Sequence, residues 1–419
     1  MSFEADSLKE HQENLFKPYW YDPTLTLLKT LALYGHNSYG KTNLIKGYSF
    51  MLKCIFNSFD FTKKEGYIKV EKFRLDDYSL NNPTKFSIVF IIEKVKYRYR
   101  FSINDGKVVE EELWYAESRV RENYLFSRVE GEIRISKLWN KDSKGQVESS
   151  KLFTKSHNLF LSVLISQNNI PHVEAISVWL RKSLFLSDDL GAKEIKDSVV
   201  LNLENEYRKI IHQFLEKADL GFLTVDDKIE SKESNPLGIS GNFLKFMLRH
   251  EIKNFELYTR HIIYDQIKKP VDDIFFELLK NESAGSIKYF ILACHLTFAL
   301  KEGLLLIIDE IDSKLHDDLI KILLSVFNNP KYNVKGAQLL FSLHNTSILK
   351  SSIFRRDQVL FVTKDSYGES GIKKVHSPDR PIRASISFEK IYLSGEFGGS
   401  SPVVKANASL PEFDFGEGK

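Results

Sequence analysis

The sequence predicts an α/β fold in which a parallel sheet is split by a long insertion carrying an antiparallel meander and a helical lobe. Three observations predict it. An apolar run, Leu31-Ala32-Leu33-Tyr34, leads into the loop Gly35-His36-Asn37-Ser38-Tyr39-Gly40-Lys41-Thr42 and then into a helix-forming stretch that reaches Met51. A second apolar run, Leu304-Leu305-Leu306-Ile307-Ile308, ends in the carboxylates Asp309 and Glu310. Between the two, residues 85–115 alternate with the period of a strand and residues 157–217 carry apolar side chains at helical spacing. The distance from Lys41 to Asp309 is too long for a minimal core, so the meander and the helices are expected as insertions into one sheet.

Composition sets the outer bounds. A chain of 419 residues has room for about two or three domain-sized units. Its 59 basic and 56 acidic residues leave a formal charge of +3, which demands no polyanionic partner. Cys54 and Cys294 are its two cysteines, too few for a disulfide framework and not spaced as a metal or redox pair. Both are expected to be buried thiols in a reducing cytoplasm. The first ten residues lack the apolar core of a signal peptide, and no apolar run reaches membrane-spanning length. A cytoplasmic protein without a membrane partner is the expectation.

The loop at 35–42 is a complete P-loop. Glycines let backbone N–H groups turn inward around an anion, the following helix adds its positive end, and Lys41 adds a mobile charge for the β and γ phosphates. Thr42 supplies a hydroxyl for Mg²⁺. ATP with Mg²⁺ is the expected cofactor pair.

Downstream, residues 86–92, 94–103 and 107–114 read as a meander with a tight Asn104-Asp105-Gly106 turn. Its middle strand places Lys94, Lys96, Arg98 and Arg100 at alternate positions, opposite Val95, Tyr97, Tyr99 and Phe101. Such a ladder is either a solvated outer face or a surface for phosphates or an acidic partner. The helical lobe follows; the charged residues 226–240 read as a loop, and residues 243–264 read equally as strands or a helix.

The second half of the site begins at Leu304. A buried parallel strand delivers its terminal acids to the carboxyl edge of the sheet. There Asp309 would hold Mg²⁺ through water and Glu310 would polarise the attacking water. Ahead of that strand, Glu282-Ser283-Ala284-Gly285-Ser286 precedes a helix over 287–300. Ser283 and Gly285 form either a second anion-binding helix end, suited to a partner subunit's γ-phosphate, or a plain cap. Residues 338–343 form one more apolar strand, and His344 at its end is either a sensor of the γ-phosphate beside Asp309 and Glu310 or an isolated surface histidine.

The order P-loop, Ser-x-Gly helix, Leu-Leu-Leu-Ile-Ile-Asp-Glu, Ser313-Lys314-Leu315-His316 and His344 resembles the ABC-type ATPase heads of SMC and OLD-like proteins. More narrowly, the chain is similar to the AbiL/RloA-type ATPases of bacterial phage-defence loci. That likeness rests on Gly35 through Asn43 and Leu44, Glu282-Ser283-Ala284-Gly285, Arg355-Arg356-Asp357-Gln358 and Tyr392-Leu393-Ser394-Gly395-Glu396-Phe397-Gly398. The resemblance implies an ABC-type head with phosphate contacts from Gly35, Asn37, Ser38, Tyr39, Gly40, Lys41, Thr42 and Asn43. It implies a metal held by Thr42 and Asp309, Glu310 as the base, and His344 as the switch. Ser283 and Gly285 would act in trans, and residues 313–316 would face the other subunit. Two departures stand out: His316 replaces the usual Asp, and no glutamine marks the loop that links metal to lobe movement. The family also begins with a strand ahead of Phe3-Glu4-Ala5, and this chain is expected to start inside that region.

The domain plan that follows is 1–84 as the N-terminal part of the ATPase core, 85–150 as its antiparallel part, 151–280 as a mainly helical lobe and 281–419 as the C-terminal part of the core. The expected activity is Mg²⁺-dependent ATP hydrolysis by a homodimer or higher homo-oligomer, without nuclease activity of its own. The expected role is that of a sensor or scaffold in antiphage defence by abortive infection. It would control a separate nuclease-like or toxin-like effector, with a nucleic acid or a phage protein as trigger. The rival is a DNA repair or maintenance ATPase. Room for its long coiled-coil arms is lacking here, as is an acid-rich domain after the core for an OLD-type nuclease.

Overall fold

The computed structural model describes residues 1–18, 21–61, 68–117, 121–167, 170–187, 191–203, 205–228, 256–350, 353–376 and 387–393. They belong to two compact units, one of Met1–Phe16, Leu27–Thr42 and Leu184–Lys419 and the other of Lys17–Thr26 and Asn43–Ser183.

The first unit is built on a six-stranded sheet. Its strands are β1 (Thr30–Tyr34), β2 (Ser183–Leu186), β3 (Leu305–Ile308), β4 (Gln338–Leu343), β5 (Val359–Lys364) and β6 (Ser370–Lys374). Their spatial order is β6-β5-β1-β4-β3-β2. Strands β3, β4, β1 and β5 run parallel, and β6 returns antiparallel on β5. The apolar runs that predicted these strands are buried along nearly their whole length, as befits a sheet covered on both faces. Leu343 lies opposite Tyr34 and Ile308 opposite Phe341. Parallel strands in that register bring Gly35, Asp309 and His344 out at one carboxyl edge.

Five helices of eight residues or more belong wholly or in part to this unit: α1 (Lys41–Phe61), α2 (Ala192–Leu203), α3 (Asn205–Ala218), α4 (Ala284–Glu302) and α5 (Asp317–Asn328). Only Lys41 and Thr42 of α1 count with the first unit. Helix α4 is apolar all round and is buried from Lys288 to Leu300, so it serves as the core rod against which α2, α3 and the sheet pack. Gly303 stops it in the left-handed conformation at φ 68°, its N–H bonded to Ala299 O.

Within that rod His295 is buried, with its Nδ1 bonded to Ile291 O at 2.8 Å. Burial pushes its pKa down to about 4 from 6.5. Between those values the unfolded chain takes up a proton that the folded chain refuses, so stability falls as the pH drops through that window. The expected loss from this group is about 3 kcal/mol by about pH 4. Denaturant unfolding across the window checks it: His295→Gln should flatten the acid limb, and an acid limb as steep as wild type would rule the group out.

The Arg355-Arg356-Asp357-Gln358 motif turns out to be a clamp on the N-terminal segment. Arg355 is fully buried and pairs with Asp357 through two N–H donors at 2.9 and 3.0 Å. It also donates to Glu10 O and Asp6 O, while Arg356 binds the Glu10 carboxylate. Gln358 accepts from Asn14 and donates to Thr30 of β1, tying the segment to the strand that feeds the P-loop. Leu28 N donates to Phe3 O, so Phe3 is packed beside the chain leading into β1.

The second unit holds a five-stranded antiparallel meander formed by Thr84–Ile92, Val95–Asn104, Lys107–Ala116, Asn123–Val129 and Glu132–Ile135, each strand paired with the next. Asp105 and Gly106, at φ 47° and 74°, make the tight turn that their sequence predicts. Tyr97, Tyr99 and Phe101 are buried, while Arg98 and Arg100 face outward. Three of the four ladder cations are paired: Lys96 and Arg98 share Glu122, just before the fourth strand, at 3.0 and 2.6 Å, and Arg100 pairs with Glu112 of the next strand at 2.7 Å, while Lys94 lies in the turn ahead of the strand. Arg98 also stacks on Trp114. A solvated, internally paired outer face is therefore the better description of this strand than a docking surface.

Region 151–280 is less helical than its sequence suggests. Besides its helices it carries a three-stranded antiparallel sheet of Thr224–Lys228, Glu256–Tyr264 and Pro270–Glu277. The expected loop at 226–240 thus begins inside a strand, because Asp226 is held by Arg208 at 2.6 Å and Val225 is buried. The rest of that loop, residues 229–240, lies outside the described residues, as does 394–398 of the tail motif. Cys54 and Cys294 are both free and buried, as expected. Among the described residues no helix is long and apolar enough to cross a membrane.

Candidate functional site

Gly35 and Gly40 are glycines for reasons of space. A Cβ at Gly35 would stand 2.7 Å from Val362 O, and one at Gly40, where φ is +101°, would stand 2.6 Å from Ser370 Oγ. Both glycines therefore hold the loop tight against the sheet. Ser38 is also left-handed, at φ 67°, and Tyr39 N donates to His36 O. His36, Asn37 and Ser38 are exposed, so the crest of the loop is open to a ligand. Thr42 is partly exposed in the first turn of α1. Asn43, also exposed, belongs to the second unit.

Lys41 is 5 % exposed and its ammonium folds back over the loop, donating to Gly35 O at 2.5 Å and His36 O at 3.4 Å. Burial lowers its pKa, against the charges of Glu310, Asp309 and Asp312, which hold it up. Its third partner is Nδ1 of His344, at 3.2 Å. With Nδ1 accepting from an ammonium, Nε2–H is left to donate, and it meets Glu310 Oε1 at 2.9 Å. The structure thus joins residues from the ends of three strands in one chain, Lys41 to His344 to Glu310.

Asp309 is buried and accepts from Ser342 Oγ at 2.6 Å. The same Ser342 oxygen accepts from Glu310 N at 2.7 Å, and Lys288 Nζ donates to Glu310 O at 2.8 Å. These two bonds pin Glu310 in the left-handed region, at φ 51°, where a non-glycine residue is strained. Its side chain, 34 % exposed, stands where water can reach it. His344 is fixed from behind by Asp312, whose carboxylate accepts from the N–H groups of both His344 and Asn345.

Ser342, Lys288 and Asp312 escaped the sequence reading. Their signal was present: Ser342 interrupts an apolar strand, Lys288 interrupts an apolar helix, and Asp312 follows two acids at spacing two. A polar group that the core tolerates has a partner there.

Ser283 caps α4, accepting from Ser286 N at 3.0 Å. Gly285 is required by a close approach, since a Cβ there would stand 2.7 Å from Lys314 O. The cap reading of Ser283 is thus satisfied, and Gly285 packs on Lys314 of the 313–316 loop. Among the described residues neither joins the Lys41 chain. His316, in place of the usual Asp, caps α5 by accepting from Asp318 N at 3.3 Å, a position where Asp is equally favourable.

The donor set fits a nucleotide triphosphate. A lysine held over a glycine-bound loop at a helix N-terminus offers charge and N–H groups to phosphate oxygens. Among the described residues no cluster of three or more His, Cys, Asp or Glu forms a metal cage. A cation here would have Asp309, the Thr42 hydroxyl and phosphate oxygens, the sparse hard-oxygen set that Mg²⁺ accepts together with water.

A parallel sheet with these groups at its carboxyl edge defines a P-loop ATPase domain with an antiparallel insertion. The family described as "AAA domain, putative AbiEii toxin, Type IV TA system" matches residues 31–350, from β1 to the turn beyond His344. The chain belongs to that family of ATPase domains. No curated protein matches it in sequence. Among solved structures it is similar to the Smc head domain of Pyrococcus furiosus, with an extended coiled coil and bound to the C-terminal domain of ScpA. The identity is 13 %, the TM-score 0.35, and the match covers 91 % of this chain and 98 % of that one. At that level of similarity nothing further follows for this chain.

Proposed function

We propose that this chain binds ATP and Mg²⁺ between two subunits and hydrolyses ATP to control a separate effector in bacterial antiphage defence, in the manner of the AbiL/RloA-type ATPases. The observation that carries the reading is the hydrogen-bonded chain from Lys41 through His344 to Glu310 beside the buried Asp309. Phosphates arriving at the loop compete for the Lys41 ammonium, and Lys41 leaving Nδ1 of His344 changes what the ring presents to Glu310. His344 is thereby the group through which phosphate occupancy reaches the base. Gly35, Asn37, Ser38, Tyr39, Gly40, Lys41, Thr42 and Asn43 are assigned to the nucleotide, Thr42 and Asp309 to Mg²⁺, and Glu310 to the attacking water. Mg²⁺ when bound would neutralise charge on the phosphates. Glu310, held rigid through its backbone and oriented by His344, would take the water proton.

Ser283 and Gly285 are assigned to the opposite subunit's γ-phosphate. The end of α4 is a helix N-terminus that the chain's own P-loop does not need.

The scaffold role follows from an inventory. Asp309 and Glu310 are both assigned to the ATP site, which leaves the cutting of a nucleic acid to the effector. The purified chain with ATP and Mg²⁺ is therefore expected to release phosphate but to cleave neither DNA nor RNA. Toxicity or phage protection should appear only when a second protein is co-expressed. Nuclease activity that persists without the partner and vanishes in Glu310→Gln would overturn the scaffold reading.

A further inference from the structure

Away from the P-loop edge, the first unit has a cavity of about 480 Å³ between one face of α3, the last turns of α4 and the segment after α5. Its volume lies within the range of small-molecule sites, about 300–1,000 Å³. The floor is apolar, supplied by Ile210 and Phe214 of α3, Leu300 of α4 and Val326 of α5. Spacings of four place Glu206, Ile210 and Phe214 on one helix face, so α3 lends its groove-side stripe to the pocket rather than filling it.

Two features separate this cavity from an ordinary packing gap. Lys217, Lys331 and Lys335 line it, and among the described residues none of the three has a carboxylate partner, Lys331 lying over the Tyr332 ring instead. Lys301, also lining it, pairs with Glu206 at 3.2 Å. The second feature is Thr297, fully buried on the cavity wall, whose Oγ1 has no hydrogen-bond partner. A buried hydroxyl left unsatisfied is costly and uncommon in a core. A floor of hydrocarbon and a rim of cations without carboxylate partners are complementary to one kind of molecule.

We propose that this cavity is a second ligand site, distinct from the nucleotide site, for an amphiphilic carboxylate: an apolar chain or ring on the floor and one anionic head among the lysines. The charge balance excludes a cationic ligand, and the apolar floor disfavours a free inorganic anion. The head group takes Lys331 and Lys335 as counter-ions.

Decanoate is the probe, measured by calorimetry on the full chain, with 1-decanol as its uncharged counterpart. Decanoate should bind saturably at one site per chain, with an affinity that falls as salt rises. Decanol should bind about tenfold more weakly or worse, because it lacks the charge. Reversing two rim charges in Lys331→Glu/Lys335→Glu should weaken decanoate about tenfold or more and leave decanol and ATP affinity unchanged. Both lysines are exposed, so the variant has no core to lose. The proposal fails if decanol matches decanoate, if binding never saturates, or if the charge-reversed variant binds decanoate as wild type does.

Discussion

Lys41→Ala is expected to lose ATP binding altogether, not merely its turnover. In the structure the Lys41 ammonium is buried over the loop and bonded to Gly35 O, His36 O and His344. Removing it leaves the carbonyls of Gly35 and His36 without the cation from which they accept. Charge-assisted bonds to phosphate are worth about 1.5–3 kcal/mol each. Loss of the lysine contacts and exposure of those carbonyls together predict an affinity at least about a hundredfold lower. Because the side chain is also buried, Lys41→Met is the better-packed companion variant, and it should lose binding equally. Equilibrium titration with a fluorescent ATP analogue measures both. Wild-type affinity in either would remove the P-loop assignment.

Glu310→Gln is expected to do the opposite: to keep ATP and stop hydrolysis. Only interactions stronger in the transition state than in the ground state accelerate the chemical step, and a general base is of that kind. Its loss typically costs about 10²–10⁴-fold in rate. The amide is close to isosteric and can still accept from His344, while the bonds of Glu310 N to Ser342 and of Glu310 O to Lys288 are backbone contacts that the substitution leaves alone. The left-handed backbone should therefore persist and binding should be unchanged. With ATP trapped, a nucleotide-bridged dimer should accumulate and elute earlier in gel filtration. Phosphate release at the wild-type rate would show that another group is the base.

The sheet and its functional edge were legible because both are written locally. Continuous apolar runs ending in Gly35, in Asp309 and in His344 state strand, direction and chemistry within a few residues, and parallel pairing then brings the three ends together. The meander was legible for the same reason, since alternation and the Asp105-Gly106 turn fix it. What escaped was everything that depends on pairing across long separations. Lys96, Arg98 and Arg100 look like a charged ladder until Glu122 and Glu112 are seen opposite them. The Arg355 to Gln358 motif looked like a family signature and is a clamp on residues 6–14, about which the local sequence is silent. The small sheet within 151–280 was only half legible: residues 256–264 fall in the stretch that read equally as strands or a helix, and Pro270–Glu277 is mostly exposed, so its alternation is weak. Ser283 and Gly285 each have a local reason in the fold, the cap of α4 and the close approach to Lys314.

That last point makes the composite site the claim most in need of a direct measurement. Ser283→Arg and Lys41→Ala should each be inactive alone, the first for want of the α4 end and the second for want of the phosphate lysine. A mixed dimer would pair the intact P-loop of one subunit with the intact α4 end of the other. Phosphate release measured across mixing ratios is predicted to peak near equal amounts, with up to one working site per mixed dimer. Activity that stays at the level of the separate variants at every ratio, while gel filtration shows that they mix, would contradict a nucleotide site shared between two subunits.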